Sequence, residues 1–372
     1  MLDDKTSGVA AAADKSAQGS LNWTLCIPTY NRPQFLTQTI GFALSQSRPP
    51  SEVVVVDGSD NWAEHRDLVL GQFAEDWQTV RLVYEEAKVR SVTFQRNQAL
   101  GAATSDIVFF LDDDIYLYPD AAEIVMGIYE TDKDDLIAMV AGKFTEGPYD
   151  PDAPTSTEVA TPAPAPQALS IRGRFRHWLE EFLTLDGHFV TYGPPVDRSP
   201  LPDPIRAAGA SEGGLINGGR TTFRRKFGVQ VGWSEMLKYY APHDDSDLSY
   251  RMSRLGRLVH ATNAGFFHAD GNDSNVGRFR ANTIRVRNLM SLHRVHSDKR
   301  LSSALRLIGS FAKFMALYCL IDPVRKRWTL PTVRAYGFGI LQVPFFLFWP
   351  FADFQTWYTG LQEKMYGNRY KS

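Results

Sequence analysis

The densest chemistry in the chain lies where Asp106-Ile-Val-Phe-Phe-Leu111 runs directly into Asp112-Asp113-Asp114. Adjacent carboxylates repel and raise one another's pKa, so three at the mouth of a buried strand call for a cation or a set of donors. A divalent-metal site is the sharp reading, and an acidic, solvated strand-to-turn junction is the bland one. A second acidic group, His243-Asp244-Asp245-Ser246-Asp247, opens a helical pattern with Leu248, Met252 and Leu255 on one face and Gly256 as its stop. Asp247 and Arg251 are spaced i, i+4 and should pair. Taken alone, Asp244 and Asp245 read more readily as helix caps. Between the two groups, Gly213-Gly-Leu-Ile-Asn-Gly-Gly-Arg-Thr-Thr-Phe-Arg224 carries paired glycines, Gly218 and Gly219, that allow close backbone approach to a sugar or phosphate. His268 follows in Gly265-Phe-Phe-His268; a lone histidine is most often structural.

These groups need a scaffold, and the apolar runs supply one. Five apolar residues after Asp106 predict a strand buried on both faces, as in a parallel α/β sheet. Trp23 to Ile27, Val53 to Val56 and Leu82 to Tyr84 predict three earlier strands, with helices over Phe35–Ala43 and Ser91–Ala103. Leu136 to Ala141 and Leu258 to Ala261 predict two later strands. This alternation describes a doubly wound parallel sheet, which binds ligands at the carboxyl ends of its strands. Pro28-Thr29-Tyr30-Asn31-Arg32 occupies one such end and Asp57-Gly58-Ser59-Asp60 the next. Asp57 can accept hydrogen bonds from a base or ribose, or simply form the turn. No G-x-G-x-x-G follows the first strand and no G-x-x-x-x-G-K-[ST] occurs, which argues against a dinucleotide dehydrogenase and a P-loop enzyme.

Together, Cys26-Ile-Pro-Thr-Tyr-Asn-Arg32, Val53-Val-Val-Val-Asp-Gly-Ser59, Arg96-Asn97 and Phe110-Leu-Asp-Asp-Asp114 resemble the nucleotide-binding half of family 2 glycosyltransferases with the GT-A fold. The resemblance implies donor contacts at Pro28, Thr29, Tyr30, Asn31, Arg32, Asp57, Arg96, Asp112, Asp113, Gly218 and Gly219. It implies a Mn2+ or Mg2+ ion on Asp112 and Asp114 with His268 as an extra ligand, the division of labour within the triplet staying open. It makes Asp245 the catalytic base, supported by Asp244, Asp247 and Arg251, and puts Arg224 at the basic position of the segment under the donor sugar. Arg285-Val-Arg287-Asn288 and His293-Arg294 resemble the basic helical segment of rhamnosyl- and galactofuranosyl-transferring members. The family inverts, and the Gln-x-x-Arg-Trp element of processive synthases is missing, since Arg325-Lys-Arg-Trp328 lacks the Gln. The implied reaction is therefore transfer of a single sugar from a nucleotide-sugar donor to a glycan or lipid-linked acceptor in cell-surface polysaccharide biosynthesis.

The 372 residues, 44% apolar and 22% charged, suit an ordinary folded protein. The net charge of -2 hides an asymmetry: from Arg285 onward fourteen Lys and Arg face four Asp and Glu. The expected organisation is a disordered leader over 1–20, a catalytic domain over 21–290 and a basic, aromatic, helical region over 291–372. The catalytic part divides into a nucleotide-binding half (21–144), a Pro- and Ala-rich insertion (145–205) with a helix candidate at Arg172–Leu183, and an acceptor half (206–290). Two distant cysteines, Cys26 and Cys319, and a leader without an apolar core point to the cytoplasm. In the tail, Leu301 to Ile321 is a helix ended by Asp322-Pro323, and Ala335 to Ala352 carries no charge. An interfacial anchor at the inner face of the cell membrane fits this composition; a dimerisation or core-packing extension is the alternative, and homo-oligomerisation stays open. Nucleic acid is not an expected partner. The rival functions are a degenerate scaffold in a glycan assembly complex and a sugar-phosphate nucleotidyltransferase, whose Gly-rich basic loop after the first strand is missing.

Overall fold

The structure, a computed structural model, describes residues 20–150, 192, 200–216, 218–269 and 277–366. The expected leader apart from Ser20 and the helix at 172–183 lie outside the described residues, as does most of the expected insertion.

The first half alternates strand and helix: β1 (Trp23–Thr29), α1 (Pro33–Leu44), β2 (Glu52–Asp57), α2 (Trp62–Gln72), β3 (Arg81–Glu86), α3 (Val92–Ala102) and β4 (Ile107–Leu111). Every residue of β1, β2 and β4 is buried, as expected for strands covered on both faces. The opening glutamate of β2 sits in that core because Glu52 accepts hydrogen bonds from Thr24 Oγ1 at 2.7 Å and Thr104 N at 2.9 Å. The second half contains β5 (Ile115–Leu117), α4 (Ala121–Thr131), β6 (Ile137–Thr145), α5 (Asp203–Ala207), β7 (Ala210–Glu212), β8 (Arg220–Arg224), α6 (Arg225–Val231), α7 (Asp244–Met252) and β9 (Arg257–His268). Four helices follow: α8 (Arg278–His296), α9 (Arg300–Val324), α10 (Pro331–Phe348) and α11 (Phe354–Tyr366).

All nine described strands join one sheet in the order β3-β2-β1-β4-β8-β6-β9-β5, with β7 on β9. The sheet is mixed, where the sequence predicts a parallel one. β1 to β4 run parallel, but β8 enters antiparallel between β4 and β6. This insertion fuses a Rossmann-like half to a second half, the α/β class expected, and a C-terminal helical region is present. Apolar side chains fill both faces of the sheet: Ile27, Val53 and Phe109 on one, Val54, Phe110 and Phe223 on the other. Each such buried side chain contributes about 1.5–3 kcal/mol relative to exposure.

Two boundaries differ from expectation. Residue 290 falls inside α8, so one helix carries the chain from the acceptor half into the tail. Pro323 lies within the last turn of α9 rather than ending it at Asp322. The buried Asp322 carboxylate instead accepts hydrogen bonds from Thr332 N at 2.9 Å and Thr332 Oγ1 at 3.1 Å, tying the start of α10 to the end of α9.

Candidate active site

The acidic triplet sits where β4 ends and β5 begins. β5 pairs antiparallel with β9 so that Ile115 lies opposite His268, and Ala269 N donates to Asp114 O at 2.9 Å. Sheet register thus delivers His268, from far along the chain, to the triplet. His268 Nε2 stands 3.3 Å from Asp114 Oδ1. That oxygen is buried without an aligned hydrogen-bond donor, while Asp114 Oδ2 accepts from Arg32 Nη2 at 2.8 Å. Burial pushes the Asp114 carboxyl up, but His268 and Arg32 outweigh it and hold it below its ordinary value.

The middle carboxylate faces inward. Asp113 accepts from Thr29 Oγ1 at 2.7 Å and Arg32 Nη1 at 2.9 Å. Burial dominates these contacts and pushes Asp113 up to about 7. Asp112 points the other way, to Arg96 Nη2 at 2.7 Å.

Arg96 joins the two acidic groups, because its Nη1 bonds the Asp244 carboxylate on α7. Burial works against the charge of Arg96, yet Asp244, Asp112 and Asp245 raise it above the usual arginine range. Asp244 is itself pushed up to about 7, mainly by burial, with Arg96 opposing and Asp245 reinforcing the rise. The two shifts are consistent, since three carboxylates share one guanidinium.

Asp245 lies one residue on, in the first turn of α7, where the helix dipole favours negative charge. Its oxygens accept from Ser246 N at 2.6 Å and from Gly218 N. Gly218 has φ +82°, in the left-handed region glycine tolerates, and a Cβ on Gly219 would stand 2.5 Å from Asp112 Oδ2. The glycine pair therefore threads between Asp112 and Asp245. Below them, the fully buried Asp247 pairs with Arg251 Nη2 and with His296 Nε2 of α8, each at 2.8 Å.

These elements surround one cleft of about 650 Å³. Pro28, Thr29, Tyr30, Arg32, Arg96, Asp112, Asp113, Asp114, Gly218, Gly219, Asp244, Asp245 and His268 all line it. Asn31, Asp57, Asp247 and Arg251 do not. Asp57 is wholly buried, its oxygens bonded by Ser59 N at 2.8 Å, by Ser59 Oγ, by Tyr84 OH at 2.8 Å and paired with His65 Nδ1 at 2.9 Å. Arg224 also lies away from the cleft, buried against Asp132 Oδ2 at 3.0 Å and the Ile137 carbonyl at 3.2 Å. Conversely, Arg90, Gln95, Tyr239, Tyr240, His243 and Arg285 line the cleft without having been singled out as site residues. Arg285 had a signal in its basic segment. The tyrosines had none, since their loop follows no motif.

Residues 24–185 match the family described as glycosyl transferase family 2. The matched segment takes in β1 to β6 and the acidic triplet; Asp245 and His268 lie beyond it. Among curated proteins, the chain is similar to the glucosyl-dolichyl phosphate glucuronosyltransferase of Haloferax volcanii, 29% identical over 111 residues, or 30% of this chain and 34% of that one. The chain thus spans about a third of the length of this curated relative. Among solved structures, it is similar to the mannosyltransferase PcManGT from Pyrobaculum calidifontis in complex with GDP-Man and Mn2+, at 15% identity, 87% coverage of both chains and TM-score 0.48. It is also similar to S. aureus TarS 1-349 in complex with UDP, at 13% identity, 90% coverage of this chain, 94% of that one and TM-score 0.42.

Proposed function

We propose that the chain is a metal-dependent, inverting glycosyltransferase that moves one sugar from a nucleotide-sugar donor to a glycan or lipid-linked acceptor in cell-surface polysaccharide biosynthesis. One observation carries the reading: the Asp112–Asp114 triplet and Asp245 line the same cleft, separated by Gly218 and Gly219 and joined through Arg96. The match to family 2 over the triplet supports it, and the name of the Haloferax relative supports a lipid-phosphate-linked acceptor.

The donor types suit a divalent cation, although no three of them converge among the described residues: Asp114 Oδ1 lies 3.3 Å from His268 Nε2, while Asp112 is held by Arg96 and would turn from it to join them. Asp112, Asp114 and His268 would hold Mn2+ or Mg2+, which when bound supplies neutralisation of the leaving diphosphate. The protein's own groups do the rest. Thr29, Tyr30 and Arg32 flank the triplet as the donor wall. Arg96 fixes Asp112 on one side and α7 on the other. Asp245, aimed by Gly218 N and Ser246 N, takes the proton of the acceptor hydroxyl as that oxygen attacks the anomeric carbon. The sugar's bond to the diphosphate breaks as the new bond forms on the opposite face, so configuration inverts in a single displacement.

The test is release of nucleoside diphosphate from a panel of nucleotide sugars with Mn2+ or Mg2+, with and without EDTA. Turnover abolished by EDTA is the expected result. Absence of turnover with every donor, in the presence of lipid-linked and glycan acceptors, would favour a scaffold instead.

A further inference from the structure

The C-terminal helices pack on the catalytic body with one face and leave another uncovered. α9 buries Ala304, Leu307, Phe311 and Phe314. Its other side carries Leu301, Leu305, Ala312, Ala316, Leu320 and Val324, a stripe that winds slowly round the helix over about 35 Å with Arg306 and Lys313 along its edge. Leu301 is 67% exposed, Leu320 72% and Val324 83%; Trp328 in the turn to α10 is 76% exposed and Leu341 on α10 76%. Large apolar side chains this exposed, on two packed helices and the turn between them, have the composition of an interaction surface rather than of scattered exposed residues.

Charge says what covers it. Between Arg300 and Trp349 there are seven Lys and Arg and a single acid, Asp322, which is fully buried beneath Thr332. The exposed charge of this hairpin is therefore entirely positive. A symmetric contact with a second copy would set cation against cation across the two-fold axis, whereas an anionic lipid surface complements both the apolar stripe and its basic edges. α9 is also long and apolar enough to cross a membrane by composition. However, its opposite face is committed to protein packing, and Arg306 and Lys313 interrupt its length, which fits a helix lying along the surface.

The hairpin also adjoins the cleft. Arg285 of α8 lines the cleft and lies within electrostatic reach of Tyr336 of α10. Asn282, three residues before it, contacts Thr332 Oγ1 at 3.4 Å. Arg278, two turns earlier on the same helix, lies within electrostatic reach of Arg325 and Arg327 at the hairpin turn. Cations thus run from the cleft wall to the hairpin tip.

We propose that the outward face of the α9–α10 hairpin docks this chain on an anionic lipid bilayer, lying in the headgroup layer and holding the cleft mouth at the depth of a phosphate-bearing lipid acceptor. The acceptor half of this statement rests on the glycosyltransferase reading; the docking half does not.

The experiment is flotation of the full chain with phosphatidylcholine vesicles, with and without phosphatidylglycerol. It compares wild type with L320E/V324E and R325E/K326E, all at exposed positions outside the cleft. Wild type should float with the anionic vesicles and less with the neutral ones. L320E/V324E should lose binding, and R325E/K326E should weaken it by about fivefold or more per side chain near the surface. Thermal stabilisation of each variant by UDP or GDP with Mn2+ is measured in parallel and should match wild type. A wild type that ignores vesicles, or variants that float as well as wild type, would overturn the docking surface. A wild-type dimer that L320E/V324E turns into a monomer, with no vesicle binding by either, would assign the face to a second copy instead. Vesicle binding without any nucleotide response would defeat the glycosyltransferase reading and leave the docking surface standing.

Discussion

His268 Nε2 lies 3.3 Å from Asp114 Oδ1, a buried oxygen that no aligned donor satisfies. The imidazole helps to lower the Asp114 carboxyl's pKa, and a carboxylate oxygen and a ring nitrogen this close can share one cation. His268→Ala should therefore lower Mn2+ affinity by about tenfold or more. Titration of free Mn2+ by electron paramagnetic resonance measures this directly, and unchanged affinity would remove His268 from the ligand set.

Arg96 is the tie between the two acidic groups. Its removal leaves Asp244 buried without its cation, which predicts a loss of about 3–5 kcal/mol for Arg96→Ala. Urea unfolding of the variant tests it. Adding Asp244→Asn to the same chain should recover part of the loss, because the uncompensated charge then disappears; a double variant no more stable than Arg96→Ala would contradict the tie.

Asp244 also predicts a pH dependence. Its carboxyl is pushed up to about 7 in the folded chain, so the fold holds this proton more tightly than the unfolded chain does. The associated stability is present at low pH and is lost as pH rises from about 4 to about 7. Metal-free wild type should accordingly lose more stability across this window than Asp244→Asn, as read by urea midpoints at each pH. Parallel curves for the two proteins would exclude Asp244 as the source.

Asp57 makes a different prediction. With Ser59, His65 and Tyr84 around it and no exposure, it holds the loop after β2 from within. Asp57→Asn leaves some of those partners unpaired and should cost about 1–3 kcal/mol in unfolding. Loss of nucleotide affinity at unchanged stability would instead make Asp57 a direct contact of the base or ribose.

Much of this was legible in sequence for physical reasons that can be named. β2 and β4 announce themselves because strands covered on both faces must be apolar throughout, and the carboxylates that follow β4 stand out against that background. β8 did not, because Arg-Thr-Thr-Phe-Arg reads as a polar loop. Its polarity is satisfied only by tertiary partners: Thr222 Oγ1 bonds the Val140 carbonyl at 2.7 Å and Arg224 bonds Asp132. The mixed character of the sheet and the misplacement of Arg224 both follow from that one strand. Asp57 failed to show its burial for a similar reason, since His65 and Tyr84 reach it from α2 and β3. The Asp247–Arg251 pair was legible because helix geometry alone brings i and i+4 together. Tyr239, Tyr240 and Arg285 reach the cleft only through the packing of α8 and its neighbours, which no local pattern encodes.

The central claim is that Asp245 accepts the acceptor's proton during sugar transfer from a nucleotide donor. The most direct measurement is the rate of nucleoside diphosphate release by wild type and by Asp245→Asn, with saturating donor, acceptor and Mn2+, beside the affinity of each for the nucleotide. The account predicts a rate lower by about 10²–10⁴-fold in the variant with nucleotide affinity nearly unchanged. Equal rates in the two proteins would contradict it.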